Sequence, residues 1–550
     1  MLPPPPVRGA YRTDVRARAA YAEGAGIYRI LPEAISRPAD VEDLKTLIAW
    51  ATEHRVSLVP RGAGSAMGGG NVGNGVVVDL TGMSGRRLDI DTAGRRAVTT
   101  AAVTLAELSD AAAPFGLRLP PDPSSGSWAT LGGMVSTNAS GARSVRYGSV
   151  RKWVEELTLV TSEGEEVWLS RGAQAPSRLV DRFERDAAPR IQAASKLIAD
   201  RFPRTRKNSS GYALDAYLAS GDVLDLLIGA EGTLGIVTEI EWRLDDVPAF
   251  RAGLRVHLSS LAHLGDVVGA LYQFQPSALE LLDRSFLDLL GEDRLSTAGL
   301  SSGIKAIVLV ELERDDAEDL RQALNRASDA VAGWATAVDT AYSPPEAEQL
   351  WAIRHAASPI LAGLPESRRS LQVIEDGCVP VEKMGEYIAA VRRAAAEHDI
   401  PVVMFGHAGD GHLHVNLLPD VARHGWEGPV ARLFQDVTAA VIRLGGTPSG
   451  EHGDGRLRAG TLLDTYGPEV LDLFRLVKAA FDPLGIFNPG IILPSGQPPV
   501  SMLKVGSGVA PIPADIQRAL REIELNGGYG RCRLELAGEA VKDESRDADV

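Results

Sequence analysis

The spacing of apolar and polar positions predicts two amphipathic helices in the first part of the chain. Asp40 is an N-cap residue, and the apolar positions after it recur with the helical period over 40–54. Thr104 and Glu107 have the spacing of a capping box, which predicts a second helix that ends at the Pro/Gly breaker 114–116. The buried face of the first helix is predicted to carry Val41, Leu44, Ile48 and Ala51.

Runs of β-branched residues and period-two alternation predict strands between these helices. The clearest runs lie at 56–59, 76–80 and 234–242. From about 251 to 419, helical and strand patterns alternate, which is typical of a second α+β unit. The chain as a whole therefore belongs to the α+β class.

A predicted hairpin over 401–418 carries polar residues of an unusual kind. We expect a buried strand at 401–405, a Gly/Asp turn at 406–411 and a returning strand at 412–418. Alternation turns Leu413, Val415 and Leu417 toward a core. The opposite face of the returning strand then carries His412, His414 and Asn416, with His407 at the mouth of the turn.

Length and composition indicate a folded chain of several domains. With 550 residues, the chain is too long for one ordinary hydrophobic core. We predict a first domain over 1–250, a second over 251–440 that holds the hairpin, and a third segment over 441–500. The last stretch, 501–550, is charged, and we expect it to be mobile.

Charge and cysteine content exclude several classes of protein. The chain has 57 basic and 72 acidic residues, a net charge of −15 and no basic stripe, so nucleic acid and anionic membranes are poor partners. No segment approaches the ~20 apolar residues of a membrane span, and the start does not resemble a signal peptide. We expect a cytoplasmic protein, with peripheral docking on a membrane complex as the alternative. Cys378 and Cys532 are the two cysteines of the chain and lie far apart without a CxxC partner, so we expect no disulfide, thiolate zinc site or cysteine-ligated iron–sulfur cluster.

Two His/carboxylate clusters indicate a metal site. His407, His414 and Glu451 form an N/N/O set that suits Zn²⁺, Mn²⁺ or Fe²⁺ and leaves a coordination position for a substrate. His452 follows Glu451 in a glycine-flanked turn, so it is free to act as a general base near neutral pH. The alternative is a polar hairpin whose histidines are satisfied by ordinary hydrogen bonds.

A glycine loop over 61–70 indicates an anion site of a different kind. The loop joins one strand to another and does not open a helix, which excludes the usual dinucleotide-binding turn. Successive small residues still expose backbone N–H groups, and Arg61 adds a positive charge. The alternative is a flexible hairpin tip. The Gly/Ser/Pro-rich stretch 120–148 is predicted to wrap a ligand.

These segments resemble the flavoproteins of the vanillyl-alcohol-oxidase type. The resemblance rests on PRGAGS at 60–65, PDPSS at 121–125, TLGGMVSTNASG at 130–141, GAEGTLGIVT at 229–238 and FDPLGIFNPG at 481–490. The runs at 405–416 and 450–453 resemble the branch that contains D-lactate, glycolate and D-2-hydroxyglutarate dehydrogenases.

The resemblance implies a fold and a cofactor. It implies a two-subdomain PCMH-type FAD-binding domain over 1–250, a ferredoxin-like α+β cap over 251–440, and a segment at 441–500 that returns to the FAD domain. The residues that it implies for cofactor binding are Pro60, Arg61, Gly62, Ala63, Gly64, Ser65, Gly68, Gly69, Pro121, Asp122, Ser125, Gly132, Gly133, Asn138, Gly141, Tyr147, Gly148, Glu231, Gly235, Ile236, Val237 and Asn488.

This chain departs from the family pattern in three respects. The glycine loop contains no histidine, so we expect non-covalent FAD. His412 stands where the family commonly has asparagine, so it either adds a ligand or reshapes the pocket. The two cysteines exclude the iron–sulfur half of related chains. Electrons must therefore pass to an external acceptor: a quinone, a cytochrome, an electron-transfer flavoprotein or an iron–sulfur subunit.

The resemblance also implies a reaction and its residues. A D-2-hydroxyacid would be oxidised to the 2-oxoacid, with His452 as base, Arg354 as the clamp for the substrate carboxylate, and Asn416 and Ser358 assisting. Ile374 stands about where the 2-hydroxyglutarate branch has a lysine, which favours D-lactate or another monocarboxylic acid. Alternatives are a glycolate oxidase or D-2-hydroxyglutarate dehydrogenase type of flavin subunit, a non-redox flavoprotein of the alkyl-glycerone-phosphate synthase type, and a metal hydrolase without flavin.

Overall fold

The computed structural model describes residues 2–173 and 177–538, without the side chains at 357 and 358. Within these ranges the first two sheets belong to the region predicted as the first domain. A four-stranded sheet has the order Ala10–Arg12, Ala34–Arg37, Val76–Asp79, Leu58–Arg61. Its last three strands are parallel to one another. The predicted helix, Val41–His54, packs on this sheet through Leu44, Leu47 and Ile48.

The second sheet of this region is antiparallel and has five strands. Their order is Leu88–Asp91, Arg96–Thr100, Ile236–Arg243, Val154–Val160, Glu166–Ser170. A short pair, Leu117–Arg118 with Asp245–Asp246, lies apart from it. The helices of this region are Val15–Ala20, Val41–His54, Leu105–Ala112, Leu131–Thr137, Ser144–Tyr147, Arg178–Asp186, Ala188–Ala193, Ser195–Arg201, Leu214–Ser220 and Leu224–Leu227.

The helix Leu131–Thr137 lies in the glycine-rich stretch for which no helix was predicted. Thr130 caps it by accepting a hydrogen bond from the Gly133 amide, and Asn138 ends it with a positive φ of 52°. A Cβ on Gly132 would lie 2.6 Å from the Cβ of Ala101, so the close approach of this helix to its neighbour requires glycine.

The cap is one seven-stranded antiparallel sheet with helices on both faces. The strand order is Ala337–Ala341, Phe250–Leu258, Ala306–Arg314, Ala278–Asp283, Val402–Gly406, His412–Leu417, Gly377–Cys378. The helices that share one core with it are Leu264–Tyr272, Ala317–Val331, Met384–Glu397 and Glu427–Arg443. The helices on the other face are Arg284–Leu290, Glu292–Thr297, Pro344–His355 and Ala357–Ala362.

The chain then returns to the first region, as predicted. Helices Gly455–Arg458, Leu462–Tyr466 and Pro468–Phe481 follow the cap, and Leu462, Phe474 and Phe481 join the core of the five-stranded sheet. The predicted division at 440 falls inside the helix Glu427–Arg443, so the cap extends to the end of that helix.

The prediction of a mobile tail over 501–550 is wrong for residues 501–538. The helix Ala514–Asn526 and the 3₁₀ turn Arg533–Ala537 pack against the helix Val15–Ala20. Ile516, Leu520 and Leu534 lie in a small core with Tyr21 and Val59. The charges that suggested mobility form ion pairs instead, such as Arg16 with Asp515 at 2.6 Å. Residues 539–550 lie outside the described part of the chain.

No helix in the described ranges has the length and apolar character needed to cross a bilayer.

Candidate active site

The predicted hairpin is confirmed and positions the histidines. The strands Val402–Gly406 and His412–Leu417 pair antiparallel with Phe405 opposite His414, and a 3₁₀ turn over Ala408–Asp410 joins them. A Cβ on Gly406 would lie 2.4 Å from the carbonyl oxygen of His412, so only glycine allows the strands to meet this closely at the turn.

The predicted ligand atoms of three residues converge on one point. Nε2 of His407 lies 3.3 Å from Nε2 of His414 and 3.4 Å from Oε1 of Glu451. Nε2 of His414 lies 3.6 Å from the same oxygen. All three side chains are buried. Two nitrogens and one oxygen at these separations fit around a single divalent cation.

Hydrogen bonds on the far side of each ring hold both imidazoles in the orientation that a metal requires. Nδ1 of His407 contacts the carboxylate of Glu280, and Nδ1 of His414 donates to the carbonyl oxygen of Glu375 at 2.9 Å. In the neutral tautomer that carries its proton on Nδ1, each ring presents the lone pair of Nε2 to the convergence point. In the alternative of an ordinary polar hairpin, Nε2 of His407 would be hydrogen-bonded to Nε2 of His414 and to Oε1 of Glu451.

Glu451 is oriented by two residues that sequence reasoning missed. Its Oε2 accepts from Nζ of Lys207 at 2.9 Å and from Oγ of Ser140 at 2.9 Å, which leaves Oε1 to face the histidines. Burial alone would raise the pKa of Glu451, but Lys207 and His407 outweigh it and hold that pKa well below its usual range. Burial acts to lower the pKa of Lys207, and the charges of Glu451 and Asp410 raise it instead. The carboxylate is therefore ionised and available as a ligand.

His412 lies next to this group. One ligand atom from each of His407, His412, His414 and Glu451 lies within 4.8 Å of the others. Nε2 of His412 is bonded to Asp376 at 2.9 Å, and Nδ1 is buried with no hydrogen-bond partner among the described residues. Burial is the largest influence on the pKa of His412 and lowers it. The residue is thus a neutral imidazole with one unpartnered nitrogen.

His452 lies beside the ligands and borders the cavity. Its ring is stacked on that of His414 with the centroids 5.5 Å apart, and its Nε2 lies 3.5 Å from Oε1 of Glu451. Its Nδ1 contacts the carboxylate of Glu375. Burial would lower the pKa of His452, but Glu375 and Asp376 raise it well above the usual value. The side chain is 26% exposed, so a substrate can reach it.

Arg354 joins the same network from the cap. Its Nε donates to Oε2 of Glu280 at 2.8 Å, and its guanidinium lies over the ring of Phe405 at 4.8 Å. Glu280 is fully buried and contacts both Arg354 and His407, so it links the two residues. Burial would raise the pKa of Glu280, but His407 and Arg354 lower it. No local pattern marked Glu280 as a site residue.

Of the other predicted substrate residues, Asn416 borders the cavity and accepts from Oγ of Ser370 at 3.0 Å. The side chain of Ser358 lies outside the described part of the chain. Ile374 packs in the core of the cap and does not line the cavity, so its replacement of a lysine does not by itself remove a cation from the site.

A single cavity of about 1010 Å³ contacts both the ligand group and the glycine loop. The loop joins two parallel strands, which excludes a hairpin tip. Within the described residues, the backbone N–H groups of Gly62, Ala63, Gly64 and Ser65 have no acceptor. A Cβ on Gly62 would lie 2.2 Å from Oγ1 of Thr130. The loop is therefore a cradle of free donors without side chains in the way.

Arg61 has a different role from the one predicted. Its guanidinium is buried and donates to the carbonyl oxygens of Tyr21, Glu23 and Asn71. It lies beneath Gly64, where a Cβ would be 2.4 Å from Nη2. The side chain braces the loop from below because its donors are already satisfied by the backbone.

The residues implied for cofactor binding divide into two sets. Those that line the cavity are Pro60, Arg61, Gly62, Ala63, Gly64, Ser65, Asp122, Ser125, Gly132, Gly133, Gly141, Glu231, Gly235, Ile236 and Val237. Those that do not line it are Gly68, Gly69, Pro121, Asn138, Tyr147, Gly148 and Asn488.

Several residues of the second set support the loops around the cavity. The carbonyl of Gly68 accepts from the Arg456 amide at 3.0 Å, and Nδ2 of Asn488 donates to the carbonyls of Gly70 and Glu231, each at 2.8 Å. The hydroxyl of Tyr147 contacts Glu313, a residue of the cap sheet. These contacts give the motif residues a structural reason that does not require them to touch a ligand.

Two sequence families match this chain. The family described as "FAD binding domain" matches residues 32–170. The family described as "FAD linked oxidases, C-terminal domain" matches residues 247–492. The two matches correspond to the first region and to the cap with its return segment.

Several known proteins are similar to this chain. Glycolate oxidase subunit GlcD of Bacillus subtilis (strain 168) is 31% identical over 475 residues, which cover 84% of this chain and 89% of the relative. A D-lactate dehydrogenase of Archaeoglobus fulgidus is 30% identical over 465 residues, which cover 84% and 91%. A D-2-hydroxyglutarate dehydrogenase of Escherichia coli (strain K12) is 27% identical over 561 residues, which cover 95% of this chain and 55% of that longer relative.

A solved structure of p-cresol methylhydroxylase with bound substrate has a TM-score of 0.62 with this chain at 14% identity, covering 88% of this chain and 94% of that one. At this identity the likeness shows the fold alone, and it confirms the predicted PCMH-type architecture. Because relatives with 30% and 31% identity match 84% of the chain, and two family matches agree with them, this chain belongs to the FAD-linked oxidases.

Proposed function

We propose that this chain is an FAD-dependent dehydrogenase that oxidises a D-2-hydroxyacid, most readily D-lactate, to the 2-oxoacid with the help of a divalent metal ion. One observation carries the proposal: the glycine loop and the His/Glu ligand group open into the same cavity of about 1010 Å³. A redox cofactor and a Lewis acid would thus both reach one small substrate.

The residues fit a bound flavin. The free N–H groups of residues 62–65 suit a diphosphate, and the cavity is at the upper end of the ~300–1,000 Å³ that ligand sites usually occupy. Bound FAD would supply the hydride acceptor. The loop offers no histidine for a covalent link, which supports non-covalent binding.

The residues also fit a divalent ion. His407, His414 and Glu451 would hold Zn²⁺ or Mn²⁺, which would supply Lewis acidity toward the 2-hydroxyl or carboxylate oxygen of the substrate. Lys207 and Ser140 fix Glu451, and Glu280 fixes His407, so the ligand set needs little rearrangement.

The remaining tasks fall to residues of this chain that face the cavity. His452 lies on the ring of His414 and takes the hydroxyl proton as the general base in its neutral form, which the carboxylates of Glu375 and Asp376 shift to higher pH by raising the pKa of His452. Arg354 uses Nε for Glu280, so both Nη groups are left for the substrate carboxylate. Asn416 donates to the substrate from the same strand face as His414. Of the arginines that line the cavity, Arg354 is the one that shares Glu280 with the ligand His407, and one clamp at this point suits a monocarboxylic acid.

The names of the relatives give three different substrates: glycolate, D-lactate and D-2-hydroxyglutarate. The D-lactate assignment is supported by the position of Arg354, the cavity arginine that is linked to the ligand His407 through Glu280. We further propose that electrons leave to an external quinone, cytochrome, electron-transfer flavoprotein or iron–sulfur subunit, because Cys378 is buried and Cys532 lies apart from it.

Anaerobic reduction of the flavin tests the proposal. The purified, FAD-loaded, Zn²⁺-loaded protein is mixed with D-lactate, L-lactate, glycolate or D-2-hydroxyglutarate, and the flavin band at about 450 nm is followed. We expect fast bleaching with D-lactate and none with L-lactate. His452→Asn should bleach far more slowly at unchanged metal content.

The contradicting outcomes are distinct. Bleaching by D-2-hydroxyglutarate alone would overturn the assignment of D-lactate as the substrate. The absence of bleaching by any D-2-hydroxyacid would favour a non-redox flavoprotein. A colourless protein that cannot be reconstituted with FAD would favour a metal hydrolase.

A further inference from the structure

A cluster of cations connects the 501–538 segment to the glycine loop. Arg521, Asn526 and Tyr529 of this segment line the same cavity as the loop residues 62–65. The ring of Tyr529 lies 5.9 Å from that of Trp128, another cavity residue. We call the following residues the cationic cluster: Arg29, Arg61, Arg369, Lys504, Arg521 and Arg533.

Carboxylates compensate only part of this charge. In the described part of the chain, three carboxylates face the six cations: Glu23 pairs with Arg29 at 2.5 Å, Glu524 is shared by Arg369, Lys504 and Arg521, and Glu366 pairs with Arg521 and Arg369. Burial, followed by the charge of Arg369, lowers the pKa of Lys504 to about 7. Burial, followed by the charge of Arg61, lowers the pKa of Arg533 to about 10. The cluster therefore holds more positive charge than its own carboxylates neutralise.

Several donors in and around the cluster are buried without a partner. Within the described residues, Nε of Arg369, Nη1 of Arg521 and Nε1 of Trp128 have no hydrogen-bond acceptor, and all three residues line the cavity. Arg533 does not line the cavity; it is buried, and its guanidinium lies 5.7 Å from the centre of the Tyr529 ring. A buried donor without an acceptor costs stability, so unpartnered donors concentrated at one wall of a cavity indicate an anionic ligand there.

We propose that the 501–538 segment forms part of the cofactor site, in which Arg521, together with Arg369, binds the diphosphate of FAD from one side while the N–H groups of residues 62–65 bind it from the other. This inference rests on the proposed function, because it requires FAD as the cofactor. Tyr529 and Trp128 close the site above the diphosphate. The segment lies beyond residue 492, where the family match ends, so the family pattern does not assign this role.

The positive charge and the hydrogen-bond donors of the cationic cluster match a diphosphate. A diphosphate carries two negative charges and several acceptor oxygens, and guanidinium forks match phosphate oxygens in pairs. Arg61 braces the loop beneath Gly64 and lies within electrostatic reach of Tyr529. The cations of the segment therefore stand close to the loop whose N–H groups are free. The other anion of matching chemistry is the second carboxylate of a dicarboxylic substrate.

Affinity measurements on the full-length protein test the inference. FAD is removed, and FAD, FMN and riboflavin are titrated back while flavin fluorescence is followed. The variants are Arg521→Gln and Arg369→Gln, and Arg531→Gln is the matched control because Arg531 is 55% exposed and its partner among the described residues is Glu535 of the same segment. Arg521 is 20% exposed and keeps the test valid if Arg369→Gln does not fold.

We expect the Kd of FAD to rise about 10-fold or more in each cluster variant, as for the loss of a hydrogen bond to a charged group. The Kd of riboflavin, which lacks phosphate, should stay unchanged, and Arg531→Gln should behave as wild type. An unchanged Kd for FAD with a raised KM for D-2-hydroxyglutarate would overturn the inference and assign the cluster to a substrate carboxylate. Wild-type protein that binds no FAD would instead refute the proposed function.

Discussion

Removing the charge of Glu280 should weaken metal binding, although Glu280 is not a predicted metal ligand. Its two oxygens contact Nδ1 of His407 and Nε of Arg354, and the residue is fully buried. Glu280→Gln keeps the shape of the side chain but presents an amide NH₂ to one of these two donors. Either His407 loses the partner that fixes its proton on Nδ1, or Arg354 loses its anchor.

The size of the effect follows from these contacts. A partner that orients a metal-bound histidine is worth ~10–100-fold in metal affinity. This range corresponds to about 1.4–2.7 kcal/mol. A donor left buried and unpaired costs a similar ~1–3 kcal/mol of folding stability. We therefore expect the Kd of Zn²⁺ to rise about 10–100-fold and the melting temperature to fall by a few degrees.

Competition with a chromogenic zinc chelator measures the affinity directly. Glu313→Gln is the matched control, since Glu313 is a buried carboxylate of the same sheet that accepts from Arg118 at 2.9 Å and has no contact with the metal ligands. Both variants lose a buried charge, and only Glu280→Gln should lose zinc affinity. Equal affinities in the two variants would refute the reasoning that the Glu280 contact prepares His407 for the ion.

Three further predictions concern neighbouring groups. His412→Asn should weaken Zn²⁺ binding about 10-fold in the same chelator assay, because Nδ1 has no other partner; an unchanged affinity would mean that this nitrogen is not a ligand. Lys207→Met removes the cation that pairs with Glu451 at 2.9 Å and leaves Asp410 with Arg206 at 3.8 Å, so the metal-free protein should lose ~3–5 kcal/mol in calorimetry and Zn²⁺ should restore more stability than in wild type; equal melting temperatures would contradict this. Burial, with the charge of Asp454, raises the pKa of Glu231 to about 8 from an ordinary 4.5. Between these two pH values the folded protein keeps a proton on Glu231 that the unfolded chain has lost, so the stability of the wild type should fall as the pH rises. Thermal unfolding at several pH values should show a flatter pH dependence for Glu231→Gln, and an unchanged pH dependence would contradict this prediction.

Capping residues and apolar periodicity in the sequence predicted the helices that are stabilised by contacts between neighbouring residues. The helix Val41–His54 begins where the side chain of Asp40 accepts from the Asp43 amide at 2.9 Å, and the capping box of Thr104 and Glu107 is present. The helix Leu131–Thr137 was missed because its glycines are poor helix formers and are required only by the close approach of Ala101. The segment after 500 was missed because its apolar face is narrow and its partner lies near the other end of the described chain.

The same distinction applies to the site. His407, His414, Glu451 and His452 occur in two compact motifs, and the structure brings them together. Lys207 and Glu280 are separated by 244 and 127 residues from Glu451 and His407, respectively, which they contact, and no local pattern links them. The sequence places Arg61 in the loop but does not show that its guanidinium is surrounded by the carbonyls of Tyr21 and Glu23.

The helix Val15–Ala20 is synthesised well before its partner Ala514–Asn526, which comes roughly 500 residues later. At a translation rate of ~5–20 residues per second, the face that this partner covers would wait about 25–100 s on the ribosome. We expect the helix to be open to proteases in stalled nascent chains that end before residue 514 and protected once residue 537 has emerged. Early protection would show that another segment covers it first.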